Sequence, residues 1–121
     1  MPSATFSESR EIAARPIAIY DLLIDYHEGH VSILPQPYFK DLRVLEGGIG
    51  AGTVFEADMA VFGIQRTLRM HVEEIEPGRR FRETDSATGT VTDFIIDPIT
   101  GGARLTLQTT MVFSDGLAGW V

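Results

Sequence analysis

The three histidines are the first candidates for chemistry in this sequence, because imidazole exchanges protons near neutral pH and binds metal ions. His27 and His30 flank Glu28 within the segment 26–30, YHEGH. This spacing lacks the i, i+4 histidine pair of an H-E-x-x-H zinc site, which places both imidazoles on one helical face. His71 falls on the polar side of its strand. We therefore predict no metal site, and His30 is the histidine that we expect to contact a ligand.

Carboxylates supply a second set of candidates. Glu56 and Asp58 share one side of a strand, opposite Phe55, so the alternation predicts a solvated outer face. Asp93 lies in a strand whose two faces are both partly apolar, and if it points inward it is a polar group in an apolar pocket. The sequence contains no cysteine and no G-x-S-x-G motif. These absences exclude thiol chemistry and give no sign of a serine nucleophile.

An arginine cluster follows the turn at Pro77. Arg79, Arg80 and Arg82 lie close together in a chain of net charge −7. We expect them to pair with Glu83, Asp85 or an acid on a neighbouring strand, and the capture of a ligand carboxylate is the alternative.

The stretch 53–76 reads as a long β-hairpin with its turn near Gly63. On the return strand, apolar and polar residues alternate strictly, which gives the hairpin one apolar and one water-facing side. The apolar series on this strand is Leu68, Met70 and Val72. Something must cover this side.

The remaining elements follow from turn residues and periodicity. Pro16 opens a short helix, and a second short helical turn is predicted over 31–34. A C-terminal helix begins near Ser114 and is cut short by the end of the sequence. The other strands are predicted over residues 4–13, 39–46, 80–85, 90–97 and 103–113. The fold class is therefore α+β, with an antiparallel sheet of about seven strands and two short helices after strand 1.

Composition and charge disfavour several kinds of binding partner. The 121 residues suit a single domain over 1–121. The net charge of −7 disfavours nucleic acid and anionic membranes as partners. The N-terminus has no apolar segment typical of a signal peptide, and no run is long enough to insert into a membrane. We expect a cytoplasmic protein.

Three stretches, in this order and spacing, resemble the START/polyketide-cyclase-like superfamily, also called SRPBCC or helix-grip. They are the helix entry with Ile12, Ala14, Pro16, Ile19, Tyr20, Leu23 and Asp25; the hairpin leader with Leu45, Glu46, Gly47, Gly52 and Thr53; and the hairpin exit from Val72 to Arg79. The resemblance implies a curved sheet wrapped around a long C-terminal helix, with an apolar cavity between them. That helix is only begun here, so either the domain is incomplete or a partner supplies the cover.

These observations predict the binding of a small hydrophobic or amphipathic molecule, such as a lipid or polyketide-like compound, in an apolar cavity under the sheet. Neither a catalytic residue nor a cofactor is assigned. The first alternative is a polyketide cyclase/aromatase or dehydratase, in which a pocket histidine, tyrosine or acid protonates an enolate. The second is a protein-binding module, including a homodimer formed through the uncovered sheet. The predicted ligand-binding residues are Tyr26, His30, Tyr38, Phe55, Met59, Leu68, Met70, Asp93, Leu107 and Met111.

Overall fold

The computed structural model describes residues 3–33, 39–61 and 63–112, without the side chains of Ile33, Phe39, Lys40, Met59, Val61, Ile64 and Val112. Its elements are β1 (Ser3–Ile12), α1 (Pro16–Leu23), a 3-10 turn (Val31–Ile33), β2 (Phe39–Glu46), β3 (Val54–Val61), β4 (Ile64–Glu76), β5 (Arg80–Asp85), β6 (Val91–Ile99) and β7 (Gly102–Val112).

The strands form one antiparallel sheet in the order β1-β7-β6-β5-β4-β3-β2. Strands β2 to β7 follow one another as hairpins, and β1 joins the far edge by pairing with β7. Local hairpin connections explain most of this order, because sequential antiparallel strands need only short turns. The predicted α+β fold with a seven-stranded antiparallel sheet is confirmed.

The sheet has an inner face, defined here by Phe55, Phe81, Phe94 and Ile96, and an opposite outer face. All four of these side chains are buried. Strand β5 shows the division most clearly, since its residues alternate between buried and half-buried along its whole length. A period of two is what a sheet covered on one side requires.

Helix α1 covers one end of the inner face. Proline at its first position needs no intrahelical hydrogen-bond partner, and the helix buries Ile19, Tyr20 and Leu23. The Tyr20 ring meets Phe81 edge-on at 5.7 Å between centroids, and its hydroxyl donates to Oε1 of Glu74 at 2.7 Å. Packing of these side chains stabilises a helix of eight residues that would be marginal alone.

The prediction of two short helices was wrong in one respect. Within the described residues α1 is the only α-helix, and the second predicted helix is a single 3-10 turn over Val31–Ile33. The predicted start of a C-terminal helix at Ser114 lies outside the described residues. No helix in the described ranges is long and apolar enough to cross a bilayer.

The glycine-rich segment between β2 and β3 holds the loop after α1 in place. The backbone N–H of Tyr26 donates to the carbonyl of Gly48 at 2.8 Å, and Gly50 donates to the carbonyl of Ile24 at 2.9 Å. Gly48 has a φ of 138°, and a Cβ there would lie 2.0 Å from Nε2 of His27. This positive φ favours glycine, and a side chain there would also displace the exposed His27 ring. The hydrogen bond to Gly48 fixes where Tyr26 enters the inner face.

Candidate functional site

Three polar side chains meet on the inner face of the sheet: Tyr26 and His30 from the loop after α1, and Glu83 from β5. The Tyr26 hydroxyl donates to Oε2 of Glu83 at 2.6 Å. Nε2 of His30 lies 3.4 Å from the same oxygen. The three residues are 0 %, 3 % and 7 % exposed. They form a compact cluster that is almost completely shielded from solvent.

Aromatic rings surround this cluster. The ring of Tyr26 stacks on His30 at 4.4 Å and on Phe55 at 4.7 Å between centroids. The His30 ring meets Phe94 edge-on at 5.7 Å, and Phe94 stacks on Phe81 at 4.4 Å. Low polarity around the three polar groups strengthens the electrostatic interactions among them.

The hydrogen bonds fix where protons sit in the cluster. Nδ1 of His30 lies 2.9 Å from the carbonyl oxygen of Leu23, which can only accept, so Nδ1 carries a proton. In a neutral ring Nε2 then presents a lone pair to Glu83. A carboxylic acid at Glu83 could donate to this nitrogen, whereas an ionised carboxylate would face its lone pair at 3.4 Å. The protonated form of Glu83 therefore fits this geometry best.

The surroundings raise the pKa of both acidic groups in the cluster, Glu83 and Tyr26. Burial raises the pKa of Glu83 above its ordinary value, although the nearby His30 and the hydrogen bond from Tyr26 oppose this effect. Burial, the charge of Glu83 and the hydrogen bond to it raise the pKa of Tyr26 far above its ordinary value. Tyr26 therefore stays protonated as a donor, and the Glu83 carboxyl is the group of the cluster whose raised pKa bears on proton exchange.

The stacked rings of the inner face form an aromatic floor, made of Tyr26, His30, Phe55, Phe81 and Phe94. Beyond this floor, the side chains of the inner face are more exposed. Leu107 is 37 % and Met111 38 % exposed, and Leu68 is half-buried. Leu107 stands directly opposite Phe94 in the β6–β7 ladder, and directly opposite residues of an antiparallel pair share a face. Leu107 thus adjoins the rings around Tyr26, His30 and Glu83, and Met111 lies further along the same side of β7. These two residues of β7 are called the open region below.

The structure brings together seven of the ten predicted ligand-binding residues on the inner face. Four are buried there and three lie in the more open part. Asp93 lies elsewhere, Tyr38 is outside the described residues, and nothing is described of the Met59 side chain. The seven residues are Tyr26, His30, Phe55, Met70, Leu68, Leu107 and Met111.

Asp93 lies on the outer face and is not part of this arrangement. It is buried beneath Arg82, whose Nε and Nη2 donate to its two carboxylate oxygens at 2.6 and 3.0 Å, and Arg80 also donates to it. Burial alone would raise the pKa of Asp93, but these hydrogen bonds and charges hold it below its ordinary value. Both arginines therefore pair with an acid on a neighbouring strand, which was one of the predicted options.

The pairing of these arginines with Glu83 or Asp85 was wrong, because a strand places adjacent side chains on opposite faces. Sequence reasoning missed Glu83 as a site residue, although the same alternation predicts the face on which it lies. Glu83 shares its side of β5 with Phe81, and both are buried.

The remaining polar candidates lie on the outer face. Arg69 donates to Glu56 at 2.9 Å, and Arg43 donates to Asp58 at 3.0 and 3.1 Å, so the prediction that these carboxylates face outward is confirmed. His71 is exposed. The described residues contain no group of three or more potential ligands placed to hold a metal ion.

Comparisons with known proteins identify the fold. Neither a family model nor a curated protein matches the sequence. Among solved structures, the KanY protein matches with 26 % identity and a TM-score of 0.84, over 99 % of this chain and 81 % of that one.

Two further matches have lower identity. The Zhui aromatase/cyclase from Streptomyces sp. R1128 matches with 19 % identity and a TM-score of 0.72, over 98 % of this chain and 76 % of that one. Ara h 8.0201 matches with 14 % identity and a TM-score of 0.64, over 98 % and 87 %. With its seven-stranded sheet and inner-face helix, the chain has the fold of the START/polyketide-cyclase-like (SRPBCC, helix-grip) superfamily, as the sequence predicted.

Proposed function

We propose that the protein binds a small hydrophobic or amphipathic molecule on the inner face of its sheet. The observation that carries this proposal is the position of the open region beside the buried polar cluster. Leu107 and Met111 leave more than a third of their surface exposed. They lie beside the aromatic floor, whose rings surround the carboxyl group of Glu83. Apolar surface with a few converging polar groups is the usual form of a small-molecule site.

The two parts of this site have different roles. Burial of apolar ligand surface against the open region supplies most of the affinity, at about 25 cal/mol per Å² before the costs of association. The polar part of the site is the Glu83 carboxyl, which a ligand reaches when the Tyr26 ring moves aside, and its raised pKa lets it donate to an oxygen of the ligand. This arrangement favours an amphipathic ligand with an oxygen at one end over a pure hydrocarbon.

The polar cluster also supports a second candidate, a cyclase/aromatase or dehydratase. Such an enzyme needs a titratable group on the ligand-binding face, and the buried carboxyl of Glu83 has the raised pKa that suits protonation of an enolate. One of the structural matches is named as an aromatase/cyclase. Ligand binding remains the simpler proposal, because the cluster is buried beneath Tyr26 rather than exposed at the surface.

Binding is tested with the fluorescent probe 1-anilinonaphthalene-8-sulfonate. Leu107→Asp places a charge in the open region, and we expect it to weaken probe binding by about tenfold or more, equivalent to about 1.4 kcal/mol. Thr106→Asp changes the neighbouring residue, on the outer face of the same strand, and should leave binding unchanged. Both variants are first checked for native circular dichroism. Equal binding by wild type and Leu107→Asp would contradict the proposal.

Native mass spectrometry of the freshly purified protein provides a second measurement. A bound small molecule that is lost in Leu107→Asp and retained in Thr106→Asp would identify the ligand class directly. If instead the wild type is a dimer whose assembly Leu107→Asp abolishes, the inner face binds a protein partner.

A further inference from the structure

The two edges of the sheet differ in regularity. The ladder between β2 and β3 contains two register shifts, whereas β1 pairs with β7 at ten consecutive positions without one. β1 is the end strand of the sheet, so no other strand of the described chain pairs with its outer edge. Bulges, prolines and charged side chains all protect an edge against further pairing. The β1 edge has neither a bulge nor a proline, so its charged residues decide which strand can pair with it.

Charged side chains on β1 lie in an unusual setting. Glu8 and Arg10 belong to the inner face, where they stand opposite Leu107 and Leu105 of β7. Within the described ranges neither has an ion-pair partner, whereas Glu11 on the outer face pairs with Arg104. Both side chains are exposed, so an added strand pairs favourably at this edge only if it places a base opposite Glu8 and an acid opposite Arg10.

We propose that β1 pairs in antiparallel fashion with β1 of a second copy of this chain, with Ser9 of both copies on the two-fold axis. In this register Glu8 stands opposite the partner's Arg10, and by symmetry Arg10 stands opposite the partner's Glu8. Phe6, which is 60 % exposed, stands opposite the partner's Ile12. The segment around Ser9 is thus self-complementary in both charge and apolar character, as an isologous interface requires.

The neighbouring registers are less favourable. An antiparallel pair places residues of the same face opposite each other, so the axis must pass through a residue of β1. With Glu8 or Arg10 on the axis, two like charges meet. With Ser7 on the axis, Glu8 stands opposite the partner's Phe6. Only the Ser9 register matches both charges.

The paired segment is short, covering residues 6–12 of each copy. A single pair of short strands buries little surface compared with a standard interface, so we expect a weak dimer that dissociates on dilution. Opposite charges at an exposed edge are screened by salt, so it should also weaken as ionic strength rises.

Disulfide trapping tests the register, because the chain has no cysteine of its own. In the proposed dimer the two Ser9 Cα atoms lie about 4.5–5.5 Å apart, within the range of a disulfide. The two Ser7 Cα atoms lie four residues apart along the strand, about 13 Å. We therefore expect Ser9→Cys to form covalent dimers under mild oxidation and Ser7→Cys to form few. Cross-linking of Ser7→Cys at the same rate, or none in Ser9→Cys, would overturn the proposal.

Charge reversal tests the ion pairs by sedimentation velocity over a concentration series. Glu8→Arg and Arg10→Glu each place like charges together twice, and we expect either to weaken self-association by about tenfold or more. The double variant Glu8→Arg/Arg10→Glu restores complementarity and should restore the dimer. Glu28→Arg, an exposed change in the loop after α1, is the control.

Three outcomes would overturn the proposal in this series: a wild-type monomer at all concentrations, a double variant as monomeric as the single variants, or a dimer lost only in Leu107→Asp. The last would place the contact on the inner face instead of the β1 edge. None of these outcomes depends on ligand binding, so the proposed function is tested separately.

Discussion

Replacement of Glu83 by glutamine should change how the stability of this protein depends on pH. Burial raises the pKa of Glu83 in the folded protein, whereas the ordinary value is about 4.3. Between these two values the folded protein retains a proton that the unfolded chain has lost. The free energy of unfolding supplied by this group is complete below the ordinary pKa and is lost as pH rises through the folded pKa, with a slope of at most about 1.4 kcal/mol per pH unit.

Glutamine cannot ionise, so the Glu83→Gln variant does not lose this part of its unfolding free energy as pH rises. Its amide oxygen can accept the hydrogen bond of Tyr26, which Glu83 accepts at 2.6 Å, and its amide nitrogen can donate towards Nε2 of His30. At pH values where Glu83 is protonated, we therefore expect wild type and variant to differ by less than about 1.5 kcal/mol. As pH rises, the variant should gain stability relative to the wild type.

Urea unfolding followed by circular dichroism, at intervals from pH 4.5 to 8, measures this difference. The same comparison is then made in a His30→Gln background. That background lacks the His30 charge that opposes the rise in the pKa of Glu83, so the effect should extend to higher pH. A difference that is independent of pH would refute the reasoning. A difference that falls with pH would show that His30 holds Glu83 ionised and that its pKa is lowered.

Two further predictions concern stability and can be measured by the same urea unfolding at pH 7. Tyr26→Phe removes the buried donor to Glu83 and should lower the free energy of unfolding by about 1–3 kcal/mol, whereas Tyr20→Phe, which breaks the part-buried bond to Glu74, should cost less; equal losses would contradict the different burial of the two hydroxyls. Asp93→Asn leaves Arg80 and Arg82 without their carboxylate and should cost about 1–3 kcal/mol, whereas Asp97→Asn, in the exposed pair with Arg79, should cost less than about 1 kcal/mol; similar losses would show that the cluster around Asp93 is not a stabilising unit.

The open region of the inner face connects the function to the fold. In this structure α1 and the loop after it cover the end of the inner face near Phe81 and Phe55, while Leu107 and Met111 remain partly exposed. The same sheet that holds the buried cluster therefore also presents an apolar surface. The proposed self-association uses the β1 edge instead, and Ser9→Cys, on the outer face, tests it without changing a side chain of the inner face.

Local patterns in the sequence were enough to predict the strands and the residues that share a face. Strand β2 was predicted with its observed limits, and the limits of β5 were also as observed. These features depend on alternation and on turn residues, which act over a few positions of the chain. For the same reason, the outward direction of Glu56 and Asp58 followed from their position opposite Phe55.

Which residues contact one another could be seen only in the folded structure. Glu83 and Tyr26 are 57 residues apart in the chain, and their contact requires α1 and the segment around Gly48 to place the loop over β5. Alternation shows that Asp93 and Phe94 face opposite ways, but it does not show which face is covered. Both sides of β6 are partly apolar, so only the packing of the aromatic rings showed which side is the covered inner face. Periodicity is a local property, whereas a site depends on contacts between distant segments, and those form only when the sheet and its cover are assembled.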